Sequence, residues 1–441
     1  MLPETRQDDS YSVPKFEIDP KDIEGFEQDL LGFHENFADC FQRSESRNHF
    51  LSYMVGQFSE IKRKSIEPIA HSVEKTKLRA LQRFVSDAYW DEEKMLYKYH
   101  NLVNEDLGHP NGAIIFDECG FPKKGDDSIG VAKQYCGTLG KVENCQVGVF
   151  AAYTSPYGYS LIDKRLFIPE KWFTKEYKER RDNCNLPKDY VFKSKPQLAA
   201  EMLSNTSKED ILPFRYVLAD SIYGNSPDFI NAVEVIPNAQ YFVQVSSSTT
   251  CWLKQPSTIE KEYKYRGKKQ SRKVLTDESQ KPITVDKFAK NLNNFFWYRR
   301  KVSEGTKGAI EYEFTKRRII LAHDNLPQKE VWLVVRRTLE EEPTYSFYIS
   351  NALTSTRLKT FVWLSGLRWS IEQCFKETKS ELGMDQYEVR KFTGWQHHIL
   401  TCMLAHYFLW HLMIKMGKKS TSYYTSSTDS IIEDNLAPAT A

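Results

Sequence analysis

Residues 111–118, NGAIIFDE, form a short apolar run that leaves a Pro-Asn-Gly turn and ends in carboxylates. Further along, FRYVLAD at 214–220 repeats the pattern, an apolar run closed by an aspartate. Short apolar runs bounded by turn residues read as buried strands. NCQVGVFAAYT (144–154), RLFIPE (165–170) and QYFVQVS (240–246) read the same way, and KPQLAAEMLSN (195–205) between them reads as a helix. Strands with an intervening helix predict an α/β core.

Working outward, residues 21–108 change texture. HFLSYMVGQFSEIKRKSIEPIA (49–70) and TKLRALQRFVSDAYW (76–90) space their apolar residues at three and four, which predicts an all-α N-terminal domain. Residues 1–20 carry Pro3, Pro14 and Pro20, lack periodicity and are expected to be a disordered N-terminus. The core begins in 109–245. Residues 246–344 then alternate charged, polar and β-branched side chains, with WYRRKVSE, AIEYEFTKRRIILAH and EVWLVVRR as strands, so a β-rich insertion is expected there. Helices return in 345–416, and 417–441 is a Ser/Thr/Tyr-rich tail expected to be flexible.

Composition bounds the function. With 441 residues, 40% hydrophobic and 27% charged, the chain reads as a soluble globular protein of more than one domain. A net charge of +2 excludes an all-over basic coat. Local cation clusters remain: seven Lys and Arg between Lys261 and Lys273, then Arg299, Arg300, Lys301, Lys316, Arg317 and Arg318. Such runs are either solvated strand surface or a patch for phosphates. Eight cysteines without a CxxC pair point to neither zinc nor disulfides and fit a reducing, cytoplasmic setting. The polar, acidic start is not a signal peptide. Ile399–Met416 is apolar enough to suggest a membrane span, but His406, His411 and Lys415 make a buried core helix the better reading. The histidines 397, 398, 406 and 411 do not share one helical face and are not expected to bind metal.

Asp117 and Asp220 each close a short apolar run. At the ends of adjacent buried strands they would repel unless a cation lay between them, and oxygen-only ligands suit Mg²⁺ or Mn²⁺. Taken alone, an aspartate that closes a strand is more often a turn former. In GLRWSIEQCFKETKSELG (366–383) the helix turns about 100° per residue, so Arg368 and Lys379 lie about 40° and about 20° around the axis from Glu372. Ile371, Phe375, Thr378 and Leu382 line an adjacent face for packing. The alternative is a surface ladder, Arg368–Glu372 and Glu372–Lys376.

Three stretches together, DECGFPKKGDDSIGVAKQYCGTLGKVENCQVGVF, ADSIYG and RWSIEQCFKETKSELGMDQYEVRKFTGWQHHI, resemble bacterial insertion-sequence transposases of the DDE superfamily. The branch resembled carries Y-x2-R-x3-E-x6-K on its catalytic helix. The resemblance spans about residues 48–412 and includes RKSIEPIA and RALQRFVSDAYWD. It implies that Asp117, Asp220 and Glu372 are the catalytic, metal-holding acids. It also implies that Arg368 and Lys379 contact phosphate, and that two Mg²⁺ or Mn²⁺ ions serve DNA cleavage and strand transfer. Where the family pattern has Tyr, this chain has Ser365. The implied fold is an RNase H-like core with a β-rich insertion before the Glu-bearing helix. The implied partners are double-stranded DNA, as terminal inverted repeats and target, and a second copy of the chain on paired DNA ends; no membrane and no small-molecule substrate are expected. Lys123 and Lys124, on a loop after Asp117, are candidate DNA contacts, as are Arg336 and Arg337. Trp332 holds the place of an aromatic that stacks a flipped base in relatives, or is simply a buried strand residue. Other readings are a DNA-binding protein descended from a transposase and a metal-dependent nuclease that does not transpose. A glycosidase-type carboxylate pair is the remote alternative.

Overall fold

A computed structural model describes residues 20–415, apart from 75, 267, 278, 306 and 307. The expected disordered N-terminus (1–20, all but its last residue) and the tail at 417–441 lie outside those residues. The chain divides into two compact units, one built from the residues up to Arg215 together with those from Arg368 onward, the other from Tyr216–Leu367.

The first unit opens with helices α1 (Pro20–Glu35), α2 (Ser44–Phe58), α3 (Ile66–Ser72), α4 (Leu78–Ser86) and α5 (Glu92–Leu107). Strands β1 (Ala113–Pro122), β2 (Ala132–Cys136), β3 (Lys141–Ser155) and β4 (Gly158–Phe167) follow, then α6 (Lys178–Asn183) and α7 (Lys195–Glu209). The start of α7 is written in the sequence: Ser194 caps the Gln197 amide, Gln197 caps back, and a proline occupies the first turn.

The second unit runs β5 (Tyr216–Ala219), α8 (Ser221–Gly224), α9 (Pro227–Glu234), β6 (Gln240–Val245), β7 (Thr250–Trp252), β8 (Thr258–Tyr265) and β9 (Lys268–Leu275). It continues through β10 (Ile283–Thr284), α10 (Val285–Lys290), β11 (Tyr298–Gly305), β12 (Gly308–His323), β13 (Leu326–Arg337), β14 (Tyr345–Ser350) and α11 (Leu358–Leu367). The chain then returns to the first unit with α12 (Trp369–Leu382) and α13 (Phe392–Lys415).

In the first unit β3 is the organising strand, antiparallel to β1 on one side and to β2 and β4 on the other. Helix α13 packs on β4, α12, α4 and α2, so the N-terminal helices share one core with the end of the chain. That helix is apolar nearly all round, and Trp395, Ile399, Leu400, Met403, Tyr407 and Phe408 are buried, as such a helix must be. Among the described residues no helix is long and apolar enough to cross a membrane. In the second unit the strand order is β10-β7-β12-β13-β14-β6-β5, with β11 on β12. The β5–β6 pair is parallel and β6–β14–β13–β12 antiparallel, which makes this a mixed sheet. Strands β8 and β9 pair only with each other, as a two-stranded ribbon.

Two expectations need correction. Strand β1 does not end at Asp117: it continues to Pro122, with Asp117 opposite Phe150. The reason is β3, long enough to offer ladder partners as far as Cys145, while Cys119, Gly120 and Phe121 are buried like the residues before the acid. The helix read over 366–383 is also divided, residues 366 and 367 ending α11 and α12 starting only at Trp369. It breaks at Arg368, which becomes the residue preceding α12.

Candidate active site

Successive side chains of a strand point to opposite faces. Asp117 and Phe121 therefore share one face of β1, while Glu118 lies on the other, where Lys195 of α7 holds it at 2.8 Å. Glu118, an alternative acid on sequence grounds, thus belongs to a different face from Asp117. Helix α12 lies along the Asp117 face. At its start the Arg368 guanidinium spans two acids, Nη1 at 3.4 Å from Asp117 Oδ2 and Nη2 at 3.1 Å from Glu372 Oε1. At its end Lys379 Nζ donates to Thr138 Oγ1 at 2.9 Å and lies 5.8 Å from the centre of the Phe121 ring. The expected i,i+4 pair Arg368–Glu372 does form, but its arginine also reaches a strand residue 251 positions away, which a surface ladder never does.

The position of Glu372 follows from the break at Arg368. It sits in the first turn of α12 and Lys379 in the last, the polarity that the helix dipole favours. A neighbouring side of α12 is anchored by Ile371, Cys374, Phe375, Thr378 and Leu382, all buried. One polar group enters that packed side. Glu377 accepts from Tyr159 Oη at 2.9 Å and from Gln373 Nε2 at 2.6 Å, and pairs with His406 Nε2 of α13 at 2.8 Å. Burial alone would raise its carboxyl, yet the bonds and charge of His406, with Gln373 and Tyr159, hold it below the ordinary value. The helix stops at Gly383, whose φ of 69° is left-handed, and Lys64 from the RKSIEPIA segment donates to the carbonyl of Glu381 there. These supports were not legible beforehand: Glu377 is 29 residues from His406 and 218 from Tyr159, and no local spacing marks the pairing.

Asp220 belongs to the second unit. It directly follows β5 and caps the short turn of helix α8, its Oδ1 accepting from the Ile222 amide at 2.9 Å. The D-x-x-Y-G pattern gains a steric reason here. Tyr223 is fully buried, and a Cβ at position 224 would stand 2.0 Å from the Gln244 carbonyl oxygen, so only glycine fits against β6.

Among the described residues no group of three or more His, Cys, Asp or Glu side chains is gathered for a metal ion. The first unit supplies instead a pair of acids with a cation lodged between them. That is a fit in kind: two hard oxygen donors, placed so that positive charge between them is bound from both sides. Each histidine considered for metal is bonded elsewhere, His397 to the Val85 carbonyl, His398 to Tyr53, His406 to Glu377 and His411 to Asp106. Burial pushes His397 and His398 down to about 4, so both are neutral.

The remaining candidates are dispersed. Lys123 stands beyond the end of β1, about 20 Å along the strand from Asp117. It donates to the Tyr387 carbonyl, lies 3.4 Å from the centre of that ring, and is pushed by burial down to about 8. The structure therefore places Lys123 in packing, away from the two acids; Lys124 beside it is exposed. Trp332 on β13 is buried, its indole donates to the Leu353 carbonyl, and Lys316 and Arg318 lie over its ring. Arg336 stacks on Tyr312 and bonds Ser346; Arg337 is held by Glu313 and lies over Trp297. Ser365 is buried and donates to the Val362 carbonyl within α11.

A family model described as DDE superfamily endonuclease matches residues 36–309, a span that includes Asp117 and Asp220. The chain is 26% identical over 364 residues, 81% of its own length and 80% of the relative's, to a probable transposase for insertion sequence element IS701 from Microchaete diplosiphon. Among solved structures, a piggyBac transposase synaptic complex with hairpin DNA aligns over 90% of this chain and 74% of that one, at 9% identity and a TM-score of 0.41. The NurA nuclease from Sulfolobus solfataricus aligns over 67% and 93%, at 12% identity and a TM-score of 0.24.

Proposed function

The chain belongs to the DDE superfamily of endonucleases, and on that premise we propose that it is an insertion-sequence transposase in which Asp117, Asp220 and Glu372 hold two divalent cations, Mg²⁺ or Mn²⁺. The observation that carries this reading is the Arg368 bridge, which gathers Asp117 and Glu372 from remote parts of the sequence around one positive charge. Bound ions supply Lewis-acid stabilisation of the phosphoryl oxygens and a water or 3′-hydroxyl acidic enough to attack phosphorus. The chain's own side chains do the rest. Asp117 presents its carboxylate from a paired strand, and Glu372 presents its own from the first turn of a packed helix, so neither has to be ordered at the moment of reaction. The Arg368 fork offers parallel N–H donors to a phosphate, and Lys379, about three turns on, offers a second cation to the same backbone.

In this reading residues 109–245 and 345–416 make an RNase H-like core and 246–344 its β-rich insertion. The helices of 21–108 recognise terminal inverted repeats, and two copies act together on paired DNA ends in the cytoplasm, against the nucleoid. Its support is the order of acids and elements along the chain, with the family match around the first two acids.

The test is nicking of supercoiled plasmid by the full chain with Mg²⁺. Asp117→Asn and Glu372→Gln are expected to lower the rate about 10³-fold, ~4 kcal/mol of transition-state stabilisation, with unchanged thermal melting. EDTA is expected to stop the reaction. Strand transfer from a pre-cut repeat end separates a transposase from a plain nuclease. Full cleavage by Asp117→Asn would overturn the assignment of the acids.

A further inference from the structure

Among the described residues the ribbon of β8 and β9 shares no hydrogen-bonded ladder with another strand, although β9 touches β13, and it concentrates charge. Its two strands and tip hold all seven lysines and arginines of the 261–273 cluster against two glutamates, in a chain whose net charge is only +2. The antiparallel register sorts these residues onto two unlike faces. One face carries Glu260 opposite Lys273, Glu262 opposite Ser271, and Lys269, and there the cations have acids beside them, Lys269 reaching Glu262 at 3.9 Å. The other face carries Ile259–Val274, Lys261–Arg272 and Tyr263–Gln270, and among these described side chains there are two cations and no acid. Lys261 and Arg272 stand directly opposite each other, both exposed, an arrangement that costs stability in a two-stranded sheet. Tyr263 braces this face, its hydroxyl donating to Gln270 at 2.9 Å and its ring lying 5.6 Å from the Arg272 guanidinium. At the tip Arg266 takes a left-handed φ of 49°, unfavourable for a residue with a side chain.

Like charges held opposite one another with no acid between them are stabilised by a polyanion. We propose that the acid-free face of the β8–β9 ribbon, centred on Lys261 and Arg272, is a docking surface for the phosphates of duplex DNA. A two-stranded β-ribbon has the width that a DNA major groove admits, so the ribbon lies in the groove with its cations against the flanking phosphates. Contacts of this kind carry affinity and register and no base sequence. The inference rests on the transposase reading for its choice of duplex DNA over other polyanions.

The two faces supply their own control. Binding of the full chain to a fluorescent 30-base-pair duplex is measured in EDTA across a salt series, so that the result is independent of cleavage by the acids. Lys261→Gln/Arg272→Gln is expected to weaken binding roughly 10-fold or more near 0.1 M salt and to lower the slope of log K against log salt by about 2, close to one counterion per lost phosphate contact. Lys269→Gln/Lys273→Gln, the same charge change on the acid-containing face, is expected to weaken it less than about 3-fold. Lys261→Arg/Arg272→Lys is expected to bind as wild type does. Equal losses from the two faces, or no loss from Lys261→Gln/Arg272→Gln, would overturn the proposal. So would a single-stranded RNA of equal length that competes better than the duplex. Loss of metal-dependent nicking with intact ribbon-dependent binding would instead overturn the reading of the acids and leave the ribbon standing.

Discussion

The surroundings of α12 and the β8–β9 ribbon are both rich in charge and treat it in opposite ways. Around α12 most of the charged groups are answered from far along the chain, Arg368 by Asp117, Glu377 by His406 and Lys64 by the carbonyl end of the helix, while Glu372 is answered locally by Arg368. On the ribbon the answers are local or missing, and among the described side chains one face carries cations without acids. Buried or half-buried charge must be paired, because desolvation costs more than any fold can leave uncompensated. Exposed charge carries no such obligation, since water screens it. On the proposed reading, the difference separates a region that positions chemical groups from one that offers charge to a partner.

If that distinction holds, groups embedded in the first unit should govern stability and ribbon groups should not. The largest effect is expected at Lys123, held down to about 8 by burial although Asp385 and Glu388 pull the other way. Between pH 8 and about 10.5 the unfolded chain keeps this proton and the folded one has lost it, so folded stability rises with pH through that window. Urea unfolding should show wild type gaining about 3 kcal/mol relative to Lys123→Met across it. A parallel pair of curves would mean that the ammonium is solvated and the contrast with the ribbon is weaker than drawn.

Next comes Glu377→Ala, which strands His406, Tyr159 and Gln373 without their acceptor. A loss of about 2 kcal/mol is expected, read as a lower urea midpoint. Glu377→Gln should lose less, because the amide oxygen still accepts from Tyr159. Smallest of all, Lys269→Gln/Lys273→Gln on the ribbon should move stability by less than about 0.5 kcal/mol, the range of ordinary surface changes. A larger shift there would show that the ribbon's charges are part of the fold after all.

Much of this was legible in the residues. Helical spacing marked the N-terminal helices, and apolar runs marked β1, β3, β5 and β6, because periodicity is imposed by burial of one face. The length of β1 was misjudged: whether a strand continues past an acid depends on what its neighbour offers, and β3 is encoded elsewhere. Lys123 was expected near Asp117 for the same reason, since a loop directly after the acid would have kept it close. Trp332 was open between an exposed and a buried role, and only the packing of β13 put it under Lys316 and Arg318.

By itself, then, the sequence determined the family to which the chain belongs, and it supplied the three acids in motif context and the cations flanking Glu372 at helical spacing on which the proposed chemistry rests. These are properties of local spacing and residue type, which survive without coordinates. Tertiary structure alone decided that Arg368 is shared between Asp117 and Glu372, that Glu377 braces the helix from beneath, and that the ribbon's cations fall on two unequal faces. The first two join residues far apart in sequence, and the third depends on the strand register, since a slip of one residue would redistribute the side chains between the faces.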